Sequence, residues 1–386
     1  MRISIIIIFT FFILKLSAQN VADYSTLDKV ALQVPDSMTH SSSSLARYFN
    51  SKFQKESDKS RAAFIWIVKN IQYDVANMFA INYYQNSSET VEKVLKKRRG
   101  VCIDFAELYC DILQKCGITS YVISGYTKQN GFVDYIPHAW CAGYIDSNWM
   151  LFDPTWGSGY VMNSKFVRQT NNYYYKTKPS QLIKSHIPFD PMWQLQSYPI
   201  TNQEFYEGKF NVNAKNRFFN YQDSITQYFR QSEVDKLVSS ARRVDANGVK
   251  NSLVFDQLQH IKREIEYIQI QDYNKIVAIC DNGVNQLNEF INFRNRQFTP
   301  KKSDEEIKEM ITNCEKSFVT AQQKVNEIKN PCSNLQTSLP NLNKIIKESM
   351  LNLNEQKTFL TKYFGTNKLF RKALFYKYTW MGVPIN

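Results

Sequence analysis

One cysteine, one histidine and one aspartate could form a catalytic group in this sequence. Each stands in a distinctive run: GVCIDFA at 100–106 contains Cys102, PHAW at 137–140 contains His138, and LFDPTWG at 151–157 contains Asp153. A thiol nucleophile needs an imidazole within about 2.6–3.2 Å to accept its proton. A carboxylate on the other ring nitrogen then fixes the tautomer and stabilises the imidazolium. The three residue types therefore indicate acyl transfer through a thioester.

Cys102 stands where a helix is predicted to begin. The positive end of the helix dipole stabilises a thiolate there, and the Cys102 backbone N–H could donate to an oxyanion. Gly100 is expected to let the chain turn sharply into this position. A cysteine at a helix start is more often a small buried residue, so the assignment depends on the other two residues.

His138 and Asp153 are predicted to face each other across a β-hairpin. If Asp146-Ser147 is a two-residue turn, Ile145 pairs with Asn148, and the pairing extends to Trp140 and Asp153. His138 and Asp153 then lie on one face as diagonal neighbours, with Cα atoms about 7 Å apart. A three-residue turn would place them on opposite faces unless a bulge intervened.

The elements around these residues indicate an α+β domain. Apolar periodicity predicts helices at Lys59–Tyr73 and Glu89–Lys97 and a third helix around Phe105–Leu113 that stops at Gly117. The period then changes, and strands are predicted at Ser120–Tyr126, Ala139–Ile145 and Trp149–Phe152. Helices followed by antiparallel strands are typical of the α+β class.

The second half of the chain is predicted to be helical. Leu258, Ile261, Ile265 and Ile268 recur at spacings of three and four, and a stricter repeat runs from Ile307 to Ile328. Ser303 with Glu306 forms a capping box, and Asn330-Pro331 ends that helix. The pattern predicts a bundle or helical hairpin with partial coiled-coil geometry.

The beginning of the chain is typical of a secretory signal peptide. Ile3–Leu14 is almost continuously apolar, and Leu16-Ser17-Ala18 offers small residues for cleavage before Gln19. A retained membrane tether or lipid anchor is the alternative. The predicted organisation is a signal peptide at 1–18, an N-terminal segment with a Ser-rich linker (41–44) at 19–58, the α+β domain at 59–200 and a helical region at 201–386.

The composition sets few limits on function. The net charge of +13 comes from basic residues that are spread along the chain, and no nucleic-acid motif accompanies them. Seven cysteines leave an odd thiol in an exported chain. This count is compatible with one reactive thiol and up to three disulfides, with Cys314 and Cys332 as candidates for a local bridge. We predict no cofactor and no metal, because no Cys/His cluster has zinc-ligand spacing.

The motifs, taken together and in order, resemble the transglutaminase-like superfamily. The resemblance rests on GVCIDFAEL at 100–108, HAW at 138–140 and DPTWG at 153–157, with IQYD at 71–74 as a lead-in segment. The run HIPFDPMW at 186–193 is similar to a segment in the exported bacterial and kyphoscoliosis-peptidase-like branch. The resemblance extends to about residue 195 and implies a papain-like thiol fold.

The resemblance also implies roles for individual residues. Cys102 would attack an amide carbonyl, His138 would take the thiol proton, and Asp153 would orient His138. Gln72 is a candidate second oxyanion donor. Trp140 and Trp156 are candidates for the cleft walls, whereas we interpret His186 and Asp104 as structural.

Three functions stay open at this point. The first is a secreted cysteine acyltransferase or hydrolase acting on a protein, peptide or peptide-glycan amide, as a peptidase, deamidase or transamidase. The second is a non-catalytic binding or scaffold protein of the cell envelope. The third is a structural protein of the periplasm or cell surface that acts through its helical region, which could also bind an envelope or protein partner of an enzyme. Nucleic acid is not expected as a partner.

Overall fold

The structure is a computed structural model that describes residues 23–80, 87–210 and 218–376, together with the backbone of 379–380 and 383–384. The predicted signal peptide lies outside the described residues. The chain divides into two compact units between Ser224 and Ile225. Among the described helices, none is long and apolar enough to cross a membrane.

Helices make up much of the first unit. They are α1 (Ser25–Ala31), α2 (Ser42–Lys52), α3 (Glu56–Asn70), α4 (Ser87–Lys97), α5 (Cys102–Lys115), α6 (Pro154–Ser158), α7 (Pro179–Leu182), α8 (Asn202–Glu207) and α9 (Tyr221–Tyr228), which spans the division, with 3-10 turns at Asp36–Met38, Val75–Asn77, Asn172–Tyr174 and Pro191–Gln194. The α3, α4 and α5 helices confirm the three predicted from periodicity. Their ends differ by a few residues, because caps decide the boundaries.

An antiparallel sheet carries the C-terminal part of this unit. The strands are β1 (Gln72–Tyr73), β2 (Arg99–Gly100), β3 (Ser120–Gln129), β4 (Phe132–Val133), β5 (His138–Ile145), β6 (Asn148–Phe152), β7 (Gly159–Met162), β8 (Lys165–Arg168) and β9 (His186–Pro188). The main sheet has the order β4-β3-β5-β6, and β9 also pairs with β3. The β1–β2 pair is parallel, whereas β7–β8 is a separate antiparallel hairpin. The predicted α+β class is confirmed.

The residues predicted to precede the domain belong to its core. Ser41 caps α2 by accepting a hydrogen bond from the Ser44 N–H, so the predicted Ser-rich linker is a helix start. Arg61 of α3 is 1% exposed and forms a bidentate ion pair with Asp28 of α1, at 2.8 and 2.7 Å. Since an unpaired buried guanidinium would be costly, α1 is needed to stabilise the first unit. The linker prediction was wrong because serine at an N-cap and serine in a linker look alike in sequence.

Helix α5 lies at the centre of the apolar core of this unit. Its buried face, which includes Phe105, Leu108 and Ile112, packs in one cluster with α3 and with the inner face of β5. Cys141 of β5 contacts the backbone of the same helix, with its Sγ 3.4 Å from the Ala106 carbonyl. The helix that begins at Cys102 is therefore held directly against the strand that begins at His138.

The second unit is helical, as predicted. It contains α10 (Glu233–Ala246), α11 (Ser252–Asn295), α12 (Asp304–Glu327), α13 (Leu335–Gly365), a 3-10 turn at Arg371–Phe375, and the paired strands β10 (Thr379–Trp380) and β11 (Val383–Pro384). The three long helices share one apolar core. The predicted capping box is present, since Ser303 Oγ accepts from the Glu306 N–H and the Glu306 carboxylate accepts from the Ser303 N–H.

The predicted Cys314–Cys332 bridge is absent. All seven cysteines of the sequence lie in described residues, and all are free thiols. Cys314 is fully buried on α12 and its thiol contacts the Met310 carbonyl at 3.2 Å, whereas Cys332 is half-buried in the loop before α13. Cys314 behaves as a small core residue, which sequence spacing does not distinguish from a bridged cysteine.

We predict that Gly125→Ala destabilises the first unit by about 1–3 kcal/mol, the usual cost of overpacking. A Cβ at Gly125 would lie 2.2 Å from the Ile187 carbonyl oxygen and 2.5 Å from Trp140 Cη2. Urea unfolding followed by tryptophan fluorescence measures this loss. Gly365→Ala is the control, because a Cβ there meets open space. Equal stability of the two variants would contradict the prediction.

Candidate active site

Cys102 is the first residue of α5 and is half-buried. The first N–H groups of a helix have no acceptor within that helix, so the Cys102 N–H points out of the helix end beside its own thiol. Val101 adopts an extended conformation, and its N–H donates to Asp104 Oδ2 at 2.8 Å. This hydrogen bond fixes the helix start, and Asp104 therefore has the structural role expected of it.

Gly100 is required for a reason that differs from the predicted one. Its φ is not positive; the left-handed residue is Arg98, with φ 53°. A Cβ on Gly100 would lie 2.5 Å from the Asp104 Cβ. The absence of a side chain at Gly100 thus lets Asp104 approach and cap the helix that Cys102 begins.

The β5–β6 hairpin has the register that the two-residue turn predicts. Asp146 and Ser147 have φ values of 51° and 63°, and Ile145 pairs with Asn148. Positive φ at both central residues is typical of a type I′ turn. The hairpin brings His138 Nε2 to 2.8 Å from Asp153 Oδ2. The two side chains meet as the sequence predicts.

Asp153 is fully buried and accepts four hydrogen bonds. Oδ1 accepts from the N–H groups of Thr155 and Trp156 at 2.8 and 3.0 Å, so Asp153 caps α6. Oδ2 accepts from His138 and, at 3.1 Å, from His186 Nε2. Burial raises the pKa of this carboxyl, but the two histidines outweigh burial and hold the pKa below its usual range.

His138 connects the thiol with the carboxylate. Its Nε2 is bonded to Asp153, which leaves Nδ1 for the hydrogen bond that it forms with Cys102. Burial lowers the pKa of His138, but the charge of Asp153 and the hydrogen bonds to Asp153 and Cys102 raise it above the ordinary value. The surroundings therefore favour the imidazolium, which is the form that stabilises a neighbouring thiolate.

Cys102 and His138 line a cleft of about 750 Å³. Trp156 lies in its wall as expected, with its ring centroid 5.6 Å from that of His138. Tyr73 also lines the cleft, and its pKa is raised by burial and by the nearby Cys102, which keeps its hydroxyl a donor. Tyr73 is therefore placed where a second oxyanion donor would act.

The structure places Gln72 and Trp140 away from these predicted positions. Gln72 is exposed and is not among the described residues that line the cleft, because neighbouring residues of a strand face opposite ways and Tyr73 faces inward. Trp140 is 1% exposed and lies behind His138, with ring centroids 6.0 Å apart. Trp140 thus supports the histidine from the core instead of forming a cleft wall.

His186 is the residue of the site that sequence reasoning missed. It is 1% exposed and belongs to β9, which is distant in sequence from the hairpin but pairs with β3. The HIPFDPMW run was visible in the sequence, but nothing in it indicates that the imidazole reaches Asp153. Only the β3–β9 pairing brings the two side chains together.

His138, Asp153 and His186 also form a group whose potential ligand atoms lie within 4.8 Å of one another. Zinc requires lone pairs directed at the ion from about 2.0–2.2 Å. Here both Nε2 atoms are at hydrogen-bond distance from the same carboxylate oxygen, and the other oxygen accepts two backbone N–H groups. We interpret the group as a hydrogen-bonded cluster, and the expectation of a metal-free site stays a prediction.

The sequence profile of the transglutaminase-like superfamily matches residues 43–154. This range contains Cys102, His138 and Asp153. The chain contains a transglutaminase-like domain. The match begins at α2 and so includes a helix that the predicted boundary at residue 59 left out.

Individual relatives match over the same part of the chain. Kyphoscoliosis peptidase of Homo sapiens is 31% identical over 171 residues, which are 42% of this chain and 25% of that protein. Cytokinesis protein 3 of Schizosaccharomyces pombe is 25% identical over 177 residues, 44% of this chain and 19% of that protein. The chain thus spans a quarter or less of the length of these relatives.

Among solved structures, the periplasmic domain of TgpA from Pseudomonas aeruginosa is 19% identical. The match covers 34% of this chain and 47% of that one, with a TM-score of 0.26.

We predict that Asp153→Asn costs roughly 1–3 kcal/mol of stability at pH 7, because hydrogen bonds to an ionised group are lost. The folded-state pKa of Asp153 lies below its unfolded value of about 3.9. Its contribution is therefore complete above that unfolded value and is lost as the pH falls toward the folded one. Urea unfolding at pH 7 and pH 3.5 should show the difference from the wild type shrinking in acid.

The matched control for this prediction is Asp272→Asn, which changes a half-exposed carboxylate of the helical unit. It should leave tryptophan-detected unfolding unchanged at both pH values. A difference between Asp153→Asn and the wild type that is the same at pH 7 and pH 3.5 would contradict the electrostatic explanation.

Proposed function

We propose that this chain is a cysteine-dependent acyltransferase or hydrolase that acts on amide bonds. The observation that supports the proposal most is the position of His138, which is hydrogen-bonded to Cys102 on one side and 2.8 Å from the carboxylate of Asp153 on the other. An imidazole between a thiol and a buried carboxylate is the arrangement that a thiol nucleophile requires. The half-buried Cys102 opens onto the cleft, where a substrate has access.

The proposed reaction begins with attack by Cys102 Sγ on the carbonyl carbon of an amide. The thiol proton moves to His138, and the C–O π electrons move to oxygen, where the N–H at the start of α5 and the Tyr73 hydroxyl are positioned to donate. Collapse of this intermediate breaks the C–N bond, and His138 returns the proton to the leaving amine. Water or a second amine then attacks the thioester and releases Cys102.

The cleft lining supports an uncharged acyl donor. Apart from the Cys102–His138 pair, the acid Asp134 lies at its wall, and the Asp134 carboxylate already accepts hydrogen bonds from Thr127 and Gln129. The remaining walls are aromatic and neutral polar side chains. A protein, peptide or peptide-glycan amide fits this lining better than a charged small molecule.

The proposal extends to the compartment and the helical unit. The apolar run at 3–14 supports export to the periplasm, the cell surface or the medium. The net charge of +13 supports attraction between the protein and anionic envelope components. The helical unit is proposed to bind an envelope or protein partner, and a non-catalytic scaffold is the alternative function.

We predict that Cys102 stays reactive toward iodoacetamide below about pH 6 and that His138→Ala abolishes this reactivity or shifts it to higher pH. A thiolate paired with an imidazolium persists below the free-thiol pKa of about 8.5. Alkylation is measured by mass spectrometry of the Cys102 peptide from pH 4 to 10. Cys332, the other half-buried thiol, is the internal reference. Titration of Cys102 like a free thiol in both proteins would favour the scaffold.

We also predict release of ammonia or peptide from amide donors, and incorporation of an amine if transamidation competes with hydrolysis. A panel of glutaminyl peptides, peptide anilides and peptide-glycan fragments is incubated with a fluorescent primary amine. Cys102→Ala should lower turnover by about 10³-fold or more, whereas Cys332→Ala should retain it. Equal turnover by the wild type and Cys102→Ala would exclude the thioester route.

A further inference from the structure

His186 contacts the same carboxylate oxygen as the proposed base. Its Nε2 lies 3.1 Å from Asp153 Oδ2, and His138 Nε2 lies 2.8 Å from that oxygen. The two histidines come from strands on either side of β3, because Gly125 pairs with His138 and Thr127 pairs with His186. Asp153 is therefore held by both neighbours of one strand.

The hydrogen bonds define the protonation of His186. An ionised carboxylate only accepts, so Nε2 must carry a hydrogen. On the other side of the ring, Nδ1 lies 2.8 Å from Ser185 Oγ. A neutral Nε2–H imidazole accepts at Nδ1, and the Ser185 hydroxyl is the donor available there. Ser185 thus favours the tautomer that Asp153 requires.

His186 is not placed to act as a second base. It is not among the described residues that line the cleft, and its ring lies against Trp156, Trp140 and Tyr174, with centroids 4.5, 5.2 and 6.0 Å away. The enclosure shields the ring from substrate. Burial also lowers the pKa of His186, and the charge of His138 opposes a second cation beside it.

We propose that His186 is a positioning residue that holds Asp153 in the orientation His138 needs, by donating its Nε2–H to Asp153 Oδ2. By sharing this oxygen, His186 also limits how strongly the carboxylate stabilises the His138 imidazolium. The inference rests on the proposed function, since it concerns the same Cys102–His138 pair. It assigns a role to a residue outside the three that carry the thiol chemistry.

Other titratable groups face the cluster and stay constant in the comparison. Tyr73 and Cys102 face it from the cleft, Tyr174 from the turn before α7, and Asp134 from the loop after β4. None of them is changed in the variants below. A shift in the pH profile between those variants therefore reports on position 186.

The first test compares His186→Phe with His186→Gln. Phenylalanine keeps a ring but removes the N–H, whereas glutamine keeps an amide N–H that can reach Asp153. We expect His186→Phe to lower Cys102 alkylation at pH 6 on the order of 10- to 100-fold, the effect of one hydrogen bond to a charged group. Its alkaline step, at which His138 loses its proton, should rise by about one pH unit. His186→Gln should stay within about threefold of the wild type.

Two outcomes of this comparison would overturn the proposal. One is a His186→Phe profile identical to that of the wild type. The other is an equal loss in His186→Gln and His186→Phe while circular dichroism shows both folded, because the ring and not its N–H would then matter. If the wild type itself lacks reactivity below pH 6, the proposed function fails separately.

The second test does not depend on catalysis. Ring-nitrogen NMR of the chain labelled with ¹⁵N-histidine, which has four histidines, should show His186 as a neutral Nε2–H tautomer from pH 5 to 9. The His186→Gln spectrum identifies its signals, and Ser185→Ala should weaken the tautomer preference. A His186 that titrates to an imidazolium in this range, or that carries its proton on Nδ1, would overturn the proposal.

Discussion

The buried carboxylate of Asp153 is the interaction on which the site depends. An ionised carboxylate without exposure to solvent is stable only when its acceptor positions are filled. Here the donors come from the first turn of α6, from β5 and from β9. Because these elements are distant in sequence, filling the acceptors requires the hairpin, the β3–β9 pairing and the short helix to be assembled together. The carboxylate and the fold around it therefore depend on each other.

The central strand β3 makes this assembly possible. Gly125 pairs with β5 on one side and with β9 on the other, and a side chain there would collide with the Ile187 backbone and with Trp140. The strand thus has no room for a Cβ at the level where both histidines approach Asp153. Close backbone packing at this point and the polar cluster beside it are two results of the same constraint.

Much of the fold follows from local patterns, and the errors have identifiable causes. Helices and strands with clear apolar periods were found, because burial of one face dominates their energies. Ser41 was assigned to a linker because a cap and a linker have the same composition. Gln72 and Trp140 were placed in the cleft because a motif names residues without saying which way a short strand or a core-facing residue points.

The sequence by itself determined the thiol, the base, the carboxylate and the hairpin register that brings His138 to Asp153. That register depends on a two-residue turn at Asp146-Ser147, which is a local property of the chain. Tertiary structure alone decided that Tyr73 faces the cleft, that Trp140 supports His138 from behind and that His186 reaches Asp153. These outcomes depend on the pairing and packing of strands distant in sequence, whose register is set by the buried core and not by the residues of either strand alone.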